Sequence, residues 1–488
     1  IADVIDPDVG SPEYEDYLAH VGWEFGPKAR FSANLILSDD EIRLFNAERG
    51  EQAQATYTNR VGWLKWDADW TNRLRSQTLF AVSGIEDTRS GSVNLPGIVT
   101  GQLDDLLDVN VFEFRQDWTW VPRDRVMWSF GANLKHLDAH YLHQSERTID
   151  PVFQGISGEP GQRTLDTDLT VDGAQYAAYA ELRWRFLDRF VVDAGLRWDQ
   201  QTYTVASNDW QISPRASLLF QASERTELRF GWGQYYQAQE TNELHVSDGV
   251  ESFSAAQRAE HFVANARHVF SGETTLELSV FRKSFRTIKP RFENLFNSLS
   301  LVPELQFDRV MINPDIAESL GAEVTLIRDS SAQSVFWWLS YAWARTRDWT
   351  ASDKIVRSWD QTHAVEAGIS GTAGPWSLSA TAEVHTGWPK TELIPEYTTN
   401  PDGSLALSVT STPRNSDRYA IFGSLNLHVS REIDVSRGDL SLFLDVSNAL
   451  DRQNPCCTEY SLDEQGALQS RTEHWLPLVP SLGVIWKF

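Results

Sequence analysis

The sequence predicts an all-β fold, a transmembrane antiparallel up-and-down β-barrel. Three observations carry that prediction. Strand-period alternation runs from one end of the chain to the other. The connections between alternating segments are short and long in turn. A heavy aromatic load, 20 Trp, 24 Phe and 13 Tyr, sits in a chain of low mean hydropathy, −0.38. A barrel in lipid needs this combination, because only alternate residues meet hydrocarbon and aromatic girdles sit at both interfaces.

The alternation is plain in WSLSATAEVHTG. Trp376, Leu378, Ala380, Ala382 and Val384 fall on one face, and Ser377, Ser379, Thr381, Glu383 and His385 on the other. Successive strand side chains point to opposite faces, so the segment has one apolar and one wet side. QYAAYAELRWRF, VVDAGLRWDQ and LSLFLDVSN repeat the pattern. About 18 to 20 such segments occur, most longer than the ~9–11 residues that cross a bilayer at a tilt. Short connections such as FLDRF and TAGPW alternate with long ones rich in Gly, Pro, Asn, Asp and Ser, near 146–170, 289–312, 390–414 and 451–472. A propeller needs a repeat of about 40–50 residues, and none is found. Sandwich strands average about 5–6 residues, and a dry sandwich core cannot hold charges such as Arg183, Arg185, Arg197 and Asp199.

Composition closes other routes. No run of about 18 apolar residues occurs, so no transmembrane helix is expected. The formal charge of −25, from 68 acidic and 43 basic residues, disfavours nucleic-acid binding, which wants a basic footprint. The chain begins IADVIDPDVG, without Met or an apolar leader, as a mature form or a fragment does. No GxSxG, HExxH or GxxxxGK[ST] motif is present, so no enzyme and no cofactor are expected. Residues 1–16 read as an N-terminal remnant or loop, and residues 17–488 as the barrel with long extracellular loops.

The chain closes on LPLVPSLGVIWKF. Leu482, Val484, Trp486 and Phe488 share one face, an apolar last strand ending on an aromatic residue. This end resembles that of outer-membrane barrels as a class, and the resemblance implies that Trp486 and Phe488 are the assembly terminus read by the barrel-assembly machinery.

Four stretches resemble one family, the TonB-dependent outer-membrane receptors: RSWDQTHAVEAGI (357–369), VHTGWPKTEL (384–393), LSLFLDVSNALDRQNPCC (440–457) and the terminal strand. Each motif is weak alone; their order, spacing and terminal position together are specific. The resemblance implies a 22-stranded type of barrel, with N-terminal strands missing from this chain. It implies a location in the bacterial outer membrane of a Gram-negative cell, in contact with its lipid. It also implies active import of a large, scarce small-molecule cargo such as a ferric siderophore or other chelate. Energy would come from an inner-membrane TonB-type complex acting through a plug domain; plug and TonB box are not visible in this sequence. The alternative is a passive porin-like channel, which about 18 to 20 strands would leave open unless loops fold in.

Candidate contacts for a ligand in the vestibule are Arg345, Arg347, Trp349, Tyr235 and Tyr236. His136, Asp138 and His140, with His143 nearby, form the densest set of metal-ligand types, but the plainer reading is a polar strand end. Asp360 and His363 are expected to make rim hydrogen bonds. The adjacent Cys456 and Cys457 fall in the last external loop, where a vicinal disulfide would stiffen it at a geometric cost.

Overall fold

The computed structural model describes residues 12–46, 50–204, 210–270, 273–328, 335–350, 353–399, 401 and 405–487. The wall begins with β1 (Glu13–Glu24), β2 (Ala29–Asn46), β3 (Glu51–Thr71), β4 (Leu74–Leu95), β5 (Val99–Arg123) and β6 (Val126–Ile149). It continues with β7 (Gln162–Leu187), β8 (Phe190–Gln201), β9 (Gln211–Ser223), β10 (Thr226–Gln237), β11 (Gln257–Val269) and β12 (Thr274–Arg286). A loop hairpin, β13 (Arg291–Asn294) and β14 (Arg309–Ile312), interrupts it. The wall resumes with β15 (Ile316–Arg328), β16 (Val335–Trp349), the short β17 (Lys354–Val356), β18 (His363–Ala373) and β19 (Trp376–His385). The next loop carries β20 (Pro389–Lys390), β21 (Leu393–Thr399), β22 (Leu405–Ser411) and β23 (Asp417–Arg418). Then come β24 (Phe422–Val435), β25 (Gly438–Ser447), a last loop hairpin of β26 (Pro455–Leu462) and β27 (Leu468–His474), and β28 (Val479–Lys487).

Among the described residues a single antiparallel sheet contains 20 of these strands; each wall strand pairs with the next along the chain, except that the short β17 pairs back with β16, which also pairs with β18. Strand β1 begins at Glu13, earlier than the Tyr17 boundary expected from sequence. It pairs with β2, β28 pairs with β25, and no ladder joins β1 to β28 among the described residues.

Register explains the alternation. Leu378, Val429, Leu444 and Leu482 stand side by side across β19, β24, β25 and β28. Leu378 and Leu444 are 48% and 39% exposed, and Trp486 is 54% exposed, so this row lies on the outside of the sheet. The intervening residues face the other way and are polar: His428 Nδ1 lies 2.6 Å from Asp445 Oδ1, and Arg183 pairs with Asp193 at 3.7 Å. An apolar exterior around a charged interior is the inverse of a soluble protein and the rule for a barrel in lipid. At the short-turn end, outward aromatics form a girdle. Trp70, Trp118 and Phe130 stack at 6.2 and 6.5 Å, and Phe190 and Phe220 at 4.6 Å.

The dry core sits at the other end, above the wall. Strands β3 to β7 run 21–26 residues, about twice the span a bilayer requires, whereas β8 to β12 run 12–13. The tall side and three long loops share one cluster. Val93, Val99 and Ile149 of the wall pack with Phe296, Val302 and Phe307 from the β12–β15 loop, Leu393 from β21 and Tyr460 from β26. These segments are far apart in the sheet order, so their meeting requires the sheet to curl. Each buried Phe contributes about 2–3 kcal/mol, enough together to hold a loop canopy over the barrel mouth.

Candidate ligand-binding site at the loop end

Above the apolar band, the inward rows of the tall strands become sockets for the β12–β15 loop. Arg89, Asp105 and His143 stand in register across β4, β5 and β6. Arg89 pairs with Asp105 and also with Glu304 of the loop, while His143 Nδ1 meets Asp105 and its Nε2 lies 2.9 Å from Ser145 Oγ. Arg147, almost fully buried, donates to the backbone carbonyls of Glu304 (3.3 Å) and Gln306 (3.5 Å). Its Nε and Nη2 are buried without a hydrogen-bond partner among the described residues. Glu51, at the start of β3, accepts from Ser300 Oγ at 2.5 Å, from the Leu301 N–H at 3.2 Å and from Gln306 Nε2. The loop is therefore pinned across the mouth from β3, β4 and β6.

Between this loop and the β26–β27 hairpin lies a cavity of about 300 Å³, lined by Glu51, Phe296, Ser300, Asp308, Tyr460 and Arg471 among others. Burial pushes the Asp308 carboxyl above its usual range, against hydrogen bonds from the Phe296 N–H (2.8 Å) and Asn294 Nδ2 (3.1 Å). Arg471 is already paired with Glu473 at 2.5 Å and Glu459 at 3.6 Å. The cavity thus offers aromatic faces, hydroxyl and amide groups, and a surplus of carboxylate.

A second network fixes the stem of the same loop. Arg291 pairs with Glu293 (2.6 Å) and with Asp348, Arg357 with Asp348 (2.9 Å), and Arg414 with Glu293 (2.6 Å). Asp348 is fully buried. Burial would raise the Glu293 carboxyl, but Arg414 and Arg291 outweigh it and hold it at about 2.

The motif residues act as straps. Asp360 accepts from Arg418 Nη2 (2.6 Å), the Thr346 N–H (2.8 Å) and Thr362 Oγ (2.9 Å). Gly387 has to be glycine: a Cβ there would lie 1.9 Å from the Tyr419 carbonyl oxygen. Asn448 takes a left-handed φ of 47° and ties the loop after β25, receiving the Arg452 N–H (3.1 Å) and donating to the Arg452 (3.0 Å) and Leu476 (3.2 Å) carbonyls.

The family model described as TonB dependent receptor-like, beta-barrel, matches residues 6–449. The chain belongs to this family. Solved structures agree on the fold. P. aeruginosa FpvA bound to heterologous pyoverdines superposes at a TM-score of 0.64 with 11% identity, over 99% of this chain and 65% of that one. The unliganded ferric citrate transporter FecA gives 0.62 at 13%, over 98% of this chain and 70% of that one. BauA, the ferric preacinetobactin receptor from Acinetobacter baumannii, gives 0.62 at 12%, over 97% and 72%. This chain thus spans about two thirds of the length of the first of these. No curated protein matches it. Family and structural neighbours are outer-membrane receptors and transporters rather than enzymes.

In this TonB-dependent receptor barrel, the residues expected at the vestibule separate. Tyr235 lies on the inward row, its ring 4.8 Å from that of His261, beside a luminal chamber that includes Glu181, Arg183 and Arg215. Tyr236, one residue on, takes the opposite face. Arg345, Arg347 and Trp349 share the row of Leu339 and Tyr341, 43% and 40% exposed, and so point outward. They do not line the lumen. His136 and His140 are also outward; they pair singly with Asp172 (3.4 Å) and Asp168 (2.9 Å) on β7, while Asp138 stands opposite Asp172 in register. Among the described residues no group of three or more His, Cys, Asp or Glu is placed to hold a metal. His143 faces inward, as above. His363 Nδ1 lies 2.9 Å from Tyr341 Oη.

Cys456 and Cys457 are buried in a register shift of the β26–β27 ladder, which turns both side chains to one side and brings the sulfurs to 2.8 Å. Trp486 faces outward and donates to the Arg437 carbonyl at 3.0 Å; Phe488 lies outside the described residues.

Proposed function

We propose that this chain is the barrel of an energised outer-membrane importer whose cargo is a metal chelate. The observation that carries this reading is the β12–β15 loop, drawn across the mouth and pinned by Glu51, Arg89 and Arg147. A passive channel gains nothing from a mouth held shut by buried ion pairs. A receptor gains a binding surface that is preorganised and dry. Three structural neighbours, a receptor with iron-loaded pyoverdine, a ferric citrate transporter and a copper transporter, support a metal-bearing cargo. The cavity's aromatic faces and its hydroxyl and amide groups suit a chelate with rings and polar edges, and its surplus of carboxylate disfavours a strongly anionic one.

On this reading the long loops face the cell exterior, energy arrives from a TonB-type complex through a plug domain, and β28 with Trp486 serves the assembly machinery. The test is uptake of labelled ferric chelates, ferric citrate and copper by cells with and without the gene, each with the TonB-type complex intact or removed. Saturable uptake of one chelate, abolished by either deletion, is expected. Uptake that rises linearly with concentration and ignores the energy complex contradicts the proposal.

A further inference from the structure

The outward row of this barrel changes character on one side. Where Phe262 and Leu320 end the apolar band, register sets Arg282 of β12 beside both of them, and Arg345 of β16 beside Leu320. The next outward position on β16 is Arg347. One step beyond, Arg258 and Arg286 face each other across β11 and β12, and Lys354 lies with its Nζ 4.5 Å over the Trp349 ring. These cations share the surface with two carboxylates, Glu260 and Glu318. Arg282 pairs with Glu318, and Glu260 accepts from Trp232 Nε1 at 3.0 Å. Arg258, Arg286, Arg345, Arg347 and Lys354 make no ion pair among the described residues.

This concentration runs against a chain of formal charge −25. At the same end of the tall side, the outward rows of β2 to β5 carry Asp39, Glu41, Glu86 and Asp108, with only Arg43, paired to Glu41 at 2.6 Å, and Arg60 among them. The exterior is thus polarised around the barrel. Directly below the cations, and including Arg282 in its rim, runs an outward groove of about 680 Å³ over Leu218, Phe230, Ala264 and Val280. Small Ala216 and Ala264 beside large neighbours make the groove. Cations above an apolar channel, at the edge of the hydrocarbon, match one kind of molecule.

We propose that this surface binds a phosphorylated lipid of the outer leaflet, its headgroup phosphates on Arg282, Arg345 and Arg347 and an acyl chain in the groove. Neighbouring strands are about 4.8 Å apart, so Arg282 and Arg345, separated by β15, stand about 10 Å apart at the backbone. That spacing lets forked guanidiniums engage two phosphates of one headgroup. Arg345 also lies over the Trp343 ring at 5.6 Å, which holds it at the interface. The proposal rests on the outer-membrane barrel alone; it survives if the chelate cargo is wrong.

The test uses the purified full chain in neutral detergent, with binding followed by native mass spectrometry. The probes are a glycolipid with two phosphates, the same glycolipid with its phosphates removed, and inorganic phosphate. The diphosphorylated lipid is expected to bind about tenfold or more tighter than the dephosphorylated one, and Arg345→Gln with Arg347→Gln to erase that difference. Arg43→Gln with Arg60→Gln, on the acidic side, should leave it intact. Should the first pair fail the heat-modifiable mobility check for folding, Arg282→Gln with Arg286→Gln replaces it. Equal binding of the two lipids, an unchanged preference in a folded variant, or displacement of the lipid by inorganic phosphate at matched concentration overturns the proposal.

Discussion

Asp360 and Arg418, 58 residues apart in the chain, meet at 2.6 Å and knot the start of β18 to β23 in the next loop. Arg418 also donates to the carbonyls of Asp360 (2.8 Å) and Gly387 (3.0 Å), so one guanidinium holds two family-motif segments together. Asp360→Ala leaves a partly buried cation unpaired and strips the Thr346 N–H of its acceptor. The expected cost is about 3–5 kcal/mol. Asp360→Asn, which keeps the shape, should cost less. Urea unfolding in detergent micelles, with hydrogen exchange of residues 386–399 and 405–421, measures both.

Glycine is required at one of these motif positions for a backbone reason. At Gly387 a Cβ would meet the carbonyl oxygens of Tyr419 and Ala420 at 1.9 and 2.5 Å. Gly387→Ala should cost about 3 kcal/mol or more, because backbone has to move. Gly374, in the turn between β18 and β19, has φ +62° and open space around it. Gly374→Ala should cost only the left-handed strain, about 1–2 kcal/mol. Paired denaturation curves check the order.

The stem of the mouth-closing loop should loosen in acid. The Glu293 carboxyl titrates at about 2 in the folded protein, against an ordinary 4.5. Its stabilisation is therefore fully present above pH 4.5 and is lost as pH falls towards 2. Asp308 has the opposite sign: its raised carboxyl costs stability as pH climbs through its folded value. Pulsed hydrogen exchange of residues 287–315, corrected for intrinsic rate, should show protection falling between pH 4.5 and 2. Glu293→Gln should show the loss at pH 7 and no further acid step in that window.

Faces of one strand should differ in what they accept. Leu378→Arg puts a charge on the outward row, two residues from the turn end of β19, and should destabilise, by less than the about 2–4 kcal/mol such a change costs at the bilayer midplane. Ser379→Arg, one residue on, enters the charged interior beside His428 and near Asp445 and should be tolerated. Folding yield into vesicles separates the two.

Much of the wall was legible in the sequence. Period-2 alternation marks most strands because lipid and water sort every second residue, and the Thr-Gly-x-Pro and Asn-x-Leu motifs fall where Gly387 and Asn448 carry special backbone. The orientation of Arg345, Arg347 and Trp349 was legible too, since counting by twos from Leu339 puts all three outward. The sequence reading instead placed them by height alone, in a vestibule that their own strand turns away from. The pinned loop could not be read in this way. Glu51 and Ser300 are 249 residues apart, and Arg89 and Glu304 are 215 apart. Local pattern carries no information about such pairs. One signal did exist: the charges Arg89, Asp105, His143 and Arg147 lie on inward rows of strands far longer than a bilayer needs, where either water or a folded-in loop has to receive them.

Spin labelling of the two faces tests the account most directly. In a chain with Cys456 and Cys457 replaced by serine and reconstituted into lipid vesicles, single labels go to Leu378, Leu444 and Leu482, and to Ser379, Asp445 and Ser481 beside them. The account predicts the first set open to oxygen dissolved in lipid and closed to an aqueous nickel chelate, and the second set reversed. Equal accessibility of the two sets, or burial of the leucines away from both probes, would contradict it.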